Sequence, residues 1–205
     1  MKATISLLML MCLCSVTACA QATNGNHSHN ENAAAASSPS DNMSGNAIGQ
    51  AIQALPPDQI TGDLNAVADY ISKVPASNGK IVVTGYCWGG GQSFRYATNN
   101  PNLKAAFVFY GPAPASADGT PDKAALAKIT APVYGFYAGN DARINATLPK
   151  TTEAMTELKK KFEPVTYDGA GHGFMRAGEA PDANEPNKKA RDEAWTRWKK
   201  ILAGI

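Results

Sequence analysis

The sequence predicts an α/β fold, a parallel sheet with helices on both faces, and three observations carry that expectation. Four short runs, "KIVVTG" (80–85), "KAAFVFYG" (104–111), "APVYGFYAG" (131–139) and "FEPVTYDG" (162–169), read as strands, and each ends in glycine. Each is too evenly apolar for a strand with one wet face, which is the pattern of strands buried on both sides of a parallel sheet. Helical periodicities lie between them, and strands alternating with helices imply a sheet covered on two faces.

The elements follow in order. Leu64, Val67, Ala68, Ile71 and Val74 recur at helical spacing and make one apolar face, closed by Pro75. The first strand follows, then a helix from Gly89 into "SFRYATNN", the second strand, a short helix around "DKAALAKI" and the third strand. A longer helix is expected from Leu148 to Phe162, with Leu148, Met155, Leu158 and Phe162 on one side. After the fourth strand a last helix, about 187–202, lines up Ala190, Ala194, Trp195, Trp198, Ile201 and Leu202. Such an aromatic stripe is read as core packing rather than a cofactor box.

At 205 residues the chain suits a single globular domain. A net charge of +2, with 18% charged residues, leaves no footprint for nucleic acid, and "LKKKF" reads as the wet side of a helix. Residues 1–20 read as a signal segment: Lys2 gives the positive start, and "ISLLMLMCLCSV" is too short to span a bilayer. "VTAC" resembles a bacterial lipobox, which would make Cys19 the lipidated first residue, while "ACA" fits an ordinary signal peptidase. Either way an exported protein is expected, periplasmic or held on the outer membrane by a lipid anchor. Residues 21–54, rich in Asn, Ser, Ala and Gly, read as a disordered tether, and 55–205 as the folded domain. His27 and His29 on that tether are two ligands without a scaffold, a poor metal site.

Once the signal leaves, Cys87 is the single cysteine with no lipid role. With no disulfide partner it is a buried bystander, an intermolecular link or a reactive group. It sits in "GYCWGGG", a G-x-C-x-G after a strand and before a helix, which is the pattern of a nucleophile elbow. The small Gly85 and Gly89 let backbone pass close to the sharp turn, and Gly90 and Gly91 let the new helix sit on the sheet. The helix would aim its positive end at the sulfur and so favour attack. An elbow nucleophile needs an acid and a histidine from later strand ends, in that order. Asp141 follows the third strand in "GNDARI", and His172 follows the fourth in "GAGHGF". Asp168 is the rival acid, better suited to a turn. Tyr86, Trp88, Tyr110 and Phe174 are candidate pocket walls, with Tyr86 and Phe174 counted among the substrate-binding residues.

"VTGYCWGGG", "GFYAGNDARI" and "YDGAGHGFMR" together resemble the elbow, acid and histidine segments of the dienelactone hydrolases, a cysteine-dependent branch of the α/β-hydrolase fold. The resemblance covers about residues 55–205. It implies a carboxymethylenebutenolidase-like hydrolase of small esters or lactones, with Cys87 as nucleophile, Asp141 as acid and His172 as base. It also implies that Arg176 holds a substrate carboxylate, through paired charge-assisted hydrogen bonds. The Trp88 N–H would be an oxyanion donor, since the residue after the nucleophile has that place in an elbow. No metal or organic cofactor is implied. The family carries further strands before the elbow, so the domain reads as N-terminally truncated, without the loop that gives the second oxyanion donor. That leaves "KIVVT" as an exposed edge able to pair with another copy of the chain. Two other readings stand beside the hydrolase: an inactive exported binding protein on the same sheet, and a redox-responsive thiol at Cys87.

Overall fold

The computed structural model describes residues 45–205 of the chain. The signal segment, Cys19, and the tether up to residue 44, with His27 and His29, lie outside the described residues. Two compact units divide between Ile60 and Thr61. In the first, helix α1 runs over Gly45–Gln53 and α2 begins at Pro57, with Asp58 in its first turn. Helix α1 falls within the stretch expected as tether: Ile48 and Ile52, four residues apart, share one helical face and are both half-buried.

The second unit holds the remainder of α2 (Pro57–Ser72) and the sheet. Strands β1 (Val82–Tyr86), β2 (Ala105–Phe109), β3 (Val133–Ala138) and β4 (Phe162–Tyr167) pair in that order, all parallel. The helices between them are α3 (Trp88–Ala97), α4 (Lys123–Leu126), α5 (Ala142–Asn145) and α6 (Leu148–Glu157). Helices α7 (Phe174–Ala177) and α8 (Glu185–Ala203) follow β4. Register aligns Val82 with Ala105, Thr84 with Phe107 and Tyr86 with Phe109, and strand alternation puts Tyr134, Phe136 and Tyr167 on the same face. That face packs on Ala190, Ala194, Trp198 and Leu202 of α8, with Trp198 edge-on to Phe107 and Phe109 at 6.1 and 6.2 Å. The expected stripe is core at Trp198, while Trp195 sits at its margin, with Lys199 over its ring. The opposite face takes α3, whose fully buried Phe94 meets Phe162. Helices thus cover both faces, as the sequence predicts.

Helix α6 stops before the expected Phe162. Lys159 turns left-handed at φ 53°, Lys160 N–H donates to Met155 O and Lys159 N–H to Thr156 O, a Schellman ending that frees the chain for β4. Glu163 and Val165, on one side of that strand, are solvent-exposed, so β4 is less apolar than its neighbours.

The two sheet edges differ. Ile81 O accepts from Lys104 N–H and Cys87 N–H donates to Phe109 O, so the odd-numbered residues of β1 face β2. Because N–H and C=O of one residue point the same way in a strand, Val82, Thr84 and Tyr86 turn theirs away from the sheet. Among the described residues no strand pairs with that edge. On β4 the odd residues likewise face β3, through Val133 N–H to Lys161 O and Gly139 N–H to Tyr167 O. Pro164 therefore puts its missing donor on the outer edge, beside the Lys161–Glu163 ion pair, two features that discourage a further strand. Among the described residues no helix is long and apolar enough to cross a membrane.

Candidate active site

The carboxyl ends of the four parallel strands carry the site. Cys87 follows β1 directly at φ 55° and ψ −120°, a conformation that costs a non-glycine residue about 1–3 kcal/mol and persists only where its surroundings impose it. Two backbone bonds impose it here: Cys87 N–H continues the ladder to Phe109 O, and Cys87 O accepts from Gly91 N–H as the first bond of α3. Gly85 has to be glycine, since a Cβ there would lie 2.0 Å from Gly89 O and 2.6 Å from Ser93 Oγ. A Cβ on Gly90 would lie 2.5 Å from Phe109 O, so α3 rests with its backbone against the end of β2. The thiol of Cys87 is exposed and unpaired. No side chain caps α3, which leaves the first-turn N–H groups, Trp88's included, without a capping acceptor.

Asp141 follows β3 and caps α5, with Oδ1 accepting from Ile144 N–H at 3.4 Å. Its other oxygen lies 2.5 Å from Nδ1 of His172, in the turn after β4. Asp141 is buried and His172 open to solvent, so the carboxylate orients a ring that can still meet a ligand. The rival Asp168 makes no such contact.

Tyr110 stands between these groups. It follows β2 at φ 41°, held by its N–H to Phe136 O, and its ring packs edge-on to His172 at 5.0 Å and tilted to Tyr86 at 6.2 Å. Burial first, and then the nearby Tyr86 and Cys87, push its hydroxyl far above the usual phenol range, with Arg176 pulling the other way. Tyr110 is therefore a neutral hydroxyl, close enough to Cys87 and Arg176 to feel both. Tyr86 stacks on Phe109 at 4.6 Å and stays half-exposed, and burial raises its hydroxyl too.

The structure brings Asp141 and His172 into direct contact and sets Cys87, Trp88, Tyr86 and Tyr110 on neighbouring strand ends. No hydrogen bond among the described residues joins Cys87 to His172. Arg176 lies on α7, exposed and without an ion-pair partner among the described residues. Phe174 corrects the sequence expectation: it is fully buried, packed on Tyr110 at 5.4 Å and Tyr167 at 5.3 Å. It supports the wall from behind and presents no surface to a substrate. A cavity of about 390 Å³ lined by Asn65, Asp69, Ile81, Asn99, Asn100 and Asn102 lies at the amino end of β1, away from Cys87. Among the described residues no group of acidic, histidine or cysteine side chains has the makings of a metal site.

Comparison with known proteins bears on the family and the fold. The family model described as "Dienelactone hydrolase family" matches residues 26–205. A protein of Saccharolobus solfataricus named "Putative carboxymethylenebutenolidase" is 36% identical over 148 residues, 72% of this chain and 52% of that protein. A Salmonella typhi protein of the same name is 32% identical over 150 residues, 71% of this chain and 54% of its own. The chain thus spans about half the length of the curated relatives it matches. Among solved structures, a dienelactone hydrolase of Klebsiella pneumoniae, titled as "Putative", superposes with a TM-score of 0.64 at 28% identity, over 75% of this chain and 64% of that one. A dienelactone hydrolase-like promiscuous phosphotriesterase from metagenomic libraries gives 0.63 at 19% identity, over 78% and 68%, a likeness of fold.

Proposed function

Because this chain belongs to the dienelactone hydrolase family, we propose that it hydrolyses small esters or lactones with Cys87, His172 and Asp141 as its catalytic groups. The observation that carries this reading is the 2.5 Å contact between Asp141 Oδ2 and His172 Nδ1. An acid bonded there fixes the ring so that its other nitrogen is turned to the reacting atoms. Cys87, lifted out on its strained turn, is the one nucleophile of the constellation.

In the proposed reaction the Cys87 sulfur attacks the carbonyl carbon and its proton passes to His172. The carbonyl oxygen, now anionic, takes a hydrogen bond from the Trp88 N–H at the uncapped start of α3. Collapse expels the alcohol or enol oxygen, which leaves with the proton from His172, and a thioester remains on Cys87. Water then attacks the thioester as His172 removes its proton, and the acid product departs with the thiol restored. Arg176, exposed on α7 and without an ion-pair partner among the described residues, has the charge to hold a carboxylate on the substrate, and the half-exposed Tyr86 lines the approach.

Turnover of a small activated ester and of an acidic enol lactone by the purified chain, beside Cys87→Ala, tests this reading. The expected result is hydrolysis that vanishes in Cys87→Ala; equal turnover in both removes the mechanism. A second reading, a binding protein without chemistry, is motivated by a chain that spans half the length of its relatives. Thermal stabilisation by the lactone with no turnover in the native chain would select it.

A further inference from the structure

Three asparagines lie around the Asp141–His172 pair, and each makes bonds to main chain at the turns that carry the pair. Asn145, at the end of α5, donates both amide hydrogens back to β3 and its exit: Nδ2 lies 2.9 Å from Ala138 O and 3.0 Å from Gly139 O. Since both neighbours are carbonyls, only the NH₂ end can face them, and its Oδ1 is buried without a partner. The asparagine closes the turn 138–145, and Asp141 sits inside that closed turn. Asn140, next to the acid, ties this turn to the following one: its N–H donates to Ala170 O at 2.9 Å and its Nδ2 to Gly169 O at 3.0 Å. Gly139 N–H to Tyr167 O, 2.8 Å, makes a third bond across the same seam. Asn187 holds the histidine turn from the other side. Its Oδ1 accepts from Gly171 N–H, one residue before His172, at 2.8 Å, and its own N–H is fixed by the α8 cap Asn184 at 3.0 Å.

We propose that Asn140, Asn145 and Asn187 are positioning residues that set the Asp141–His172 geometry, the first two through their NH₂ groups and the third through its carbonyl oxygen. The proposal rests on the catalytic reading above and deepens it. It makes a prediction that residue size cannot imitate, because aspartate has the shape of asparagine but accepts hydrogen bonds without donating them when ionised. At 187 aspartate keeps the bond to Gly171 N–H. At 140 and 145 it sets a carboxylate against carbonyl oxygens and opens the turn.

The test compares Asn140→Asp, Asn145→Asp, Asn187→Asp and Asn187→Ala in the full chain by kcat, KM and the low-field NMR signal of the His172 Nδ1 proton. A misplacement of about 1 Å costs on the order of a hundredfold in rate. Asn140→Asp, Asn145→Asp and Asn187→Ala are therefore expected to lose roughly ten- to a hundredfold in kcat at little-changed KM, and to broaden or shift the proton signal. Asn187→Asp is expected to stay near wild type. Retention of kcat and signal by Asn140→Asp, or equal losses for aspartate and alanine at 187, overturns the proposal. Asn140 is exposed, so its variant tests the idea even where Asn145→Asp fails to fold. The NMR signal needs no turnover, which separates failure of the positioning role from failure of the hydrolase reading.

Discussion

Replacing Cys87 with glycine should stabilise the protein while removing its proposed nucleophile. At φ 55° and ψ −120° the cysteine occupies a backbone conformation that costs about 1–3 kcal/mol for a residue with a Cβ. Glycine escapes that cost but loses about 0.5–1 kcal/mol more chain entropy on folding. The difference leaves a net gain of roughly 0–2.5 kcal/mol, centred a little above 1. Cys87→Ala is the matched control, since it removes the same exposed sulfur but keeps the Cβ and its strain. Urea unfolding of the two variants should give a higher midpoint for glycine at unchanged slope, the signature of a change in stability alone. In thermal unfolding the gap corresponds to about 2–4 °C per kcal/mol for a domain of this size. Neither variant is expected to turn over ester. If glycine is no more stable than alanine, the turn stores at most the about 0.5–1 kcal/mol that glycine's entropy offsets, and the account of why this thiol stands clear of the sheet is wrong.

Two other outcomes follow from close contacts and charge. Gly111→Ala would put a Cβ 2.2 Å from Gly91 N and 2.4 Å from Gly90 C, both backbone atoms of α3, so the elbow helix must shift, at about 1–3 kcal/mol or more. Gly62→Ala, in α2 with nothing within 4 Å of its Cβ, should instead gain about 0.5–1 kcal/mol, and calorimetry on the pair checks both signs. Asp118 accepts from Thr120 N–H, Ser116 Oγ and Thr120 Oγ1, which hold its carboxyl down at about 2 against an ordinary 3.8. A depressed acid stabilises the loop above its unfolded value and loses that contribution as pH falls from about 4 through 2. An NMR titration should find it near 2, and Ser116→Ala should raise it; a value unchanged by Ser116→Ala removes the hydroxyl from the account.

How much of this was legible in the chain follows from the range of each interaction. The strands, the strained turn at Cys87 and the placement of Asp141 and His172 just past β3 and β4 could be read because each depends on neighbours within a few residues: an apolar run, a glycine pair, a polar residue just past a strand end. Phe174 was misread as a pocket wall because its place beside His172 in sequence says nothing of Tyr167 and Tyr110, which enclose it. The end of α6 was set by Lys159 taking a left-handed turn that its side chain does not advertise. The asparagines 140, 145 and 187 gave no signal beyond their type, since their partners are carbonyls and an N–H whose positions are fixed by other elements.

The site also explains why the acid and the histidine can be specified by such short segments. Adjacent parallel strands end side by side, so a residue just past β3 and one just past β4 meet without any long reach, and the sheet's own ladder continues through Gly139 N–H to Tyr167 O into both turns. Cys87 is placed differently: it leaves β1, two strands away from β3, on a strained turn that leaves its thiol exposed. Tyr110, at the end of the intervening β2, fills the space between with a neutral hydroxyl and a ring edge-on to His172. Placement of the pair is therefore a property of the β3–β4 seam, whereas exposure of the proposed nucleophile is a property of the elbow. Changes at Asn140 should then disturb kcat through the histidine alone, and changes at Gly85 should disturb it through Cys87 alone, two effects that combine additively in free energy if the seam and the elbow are independent.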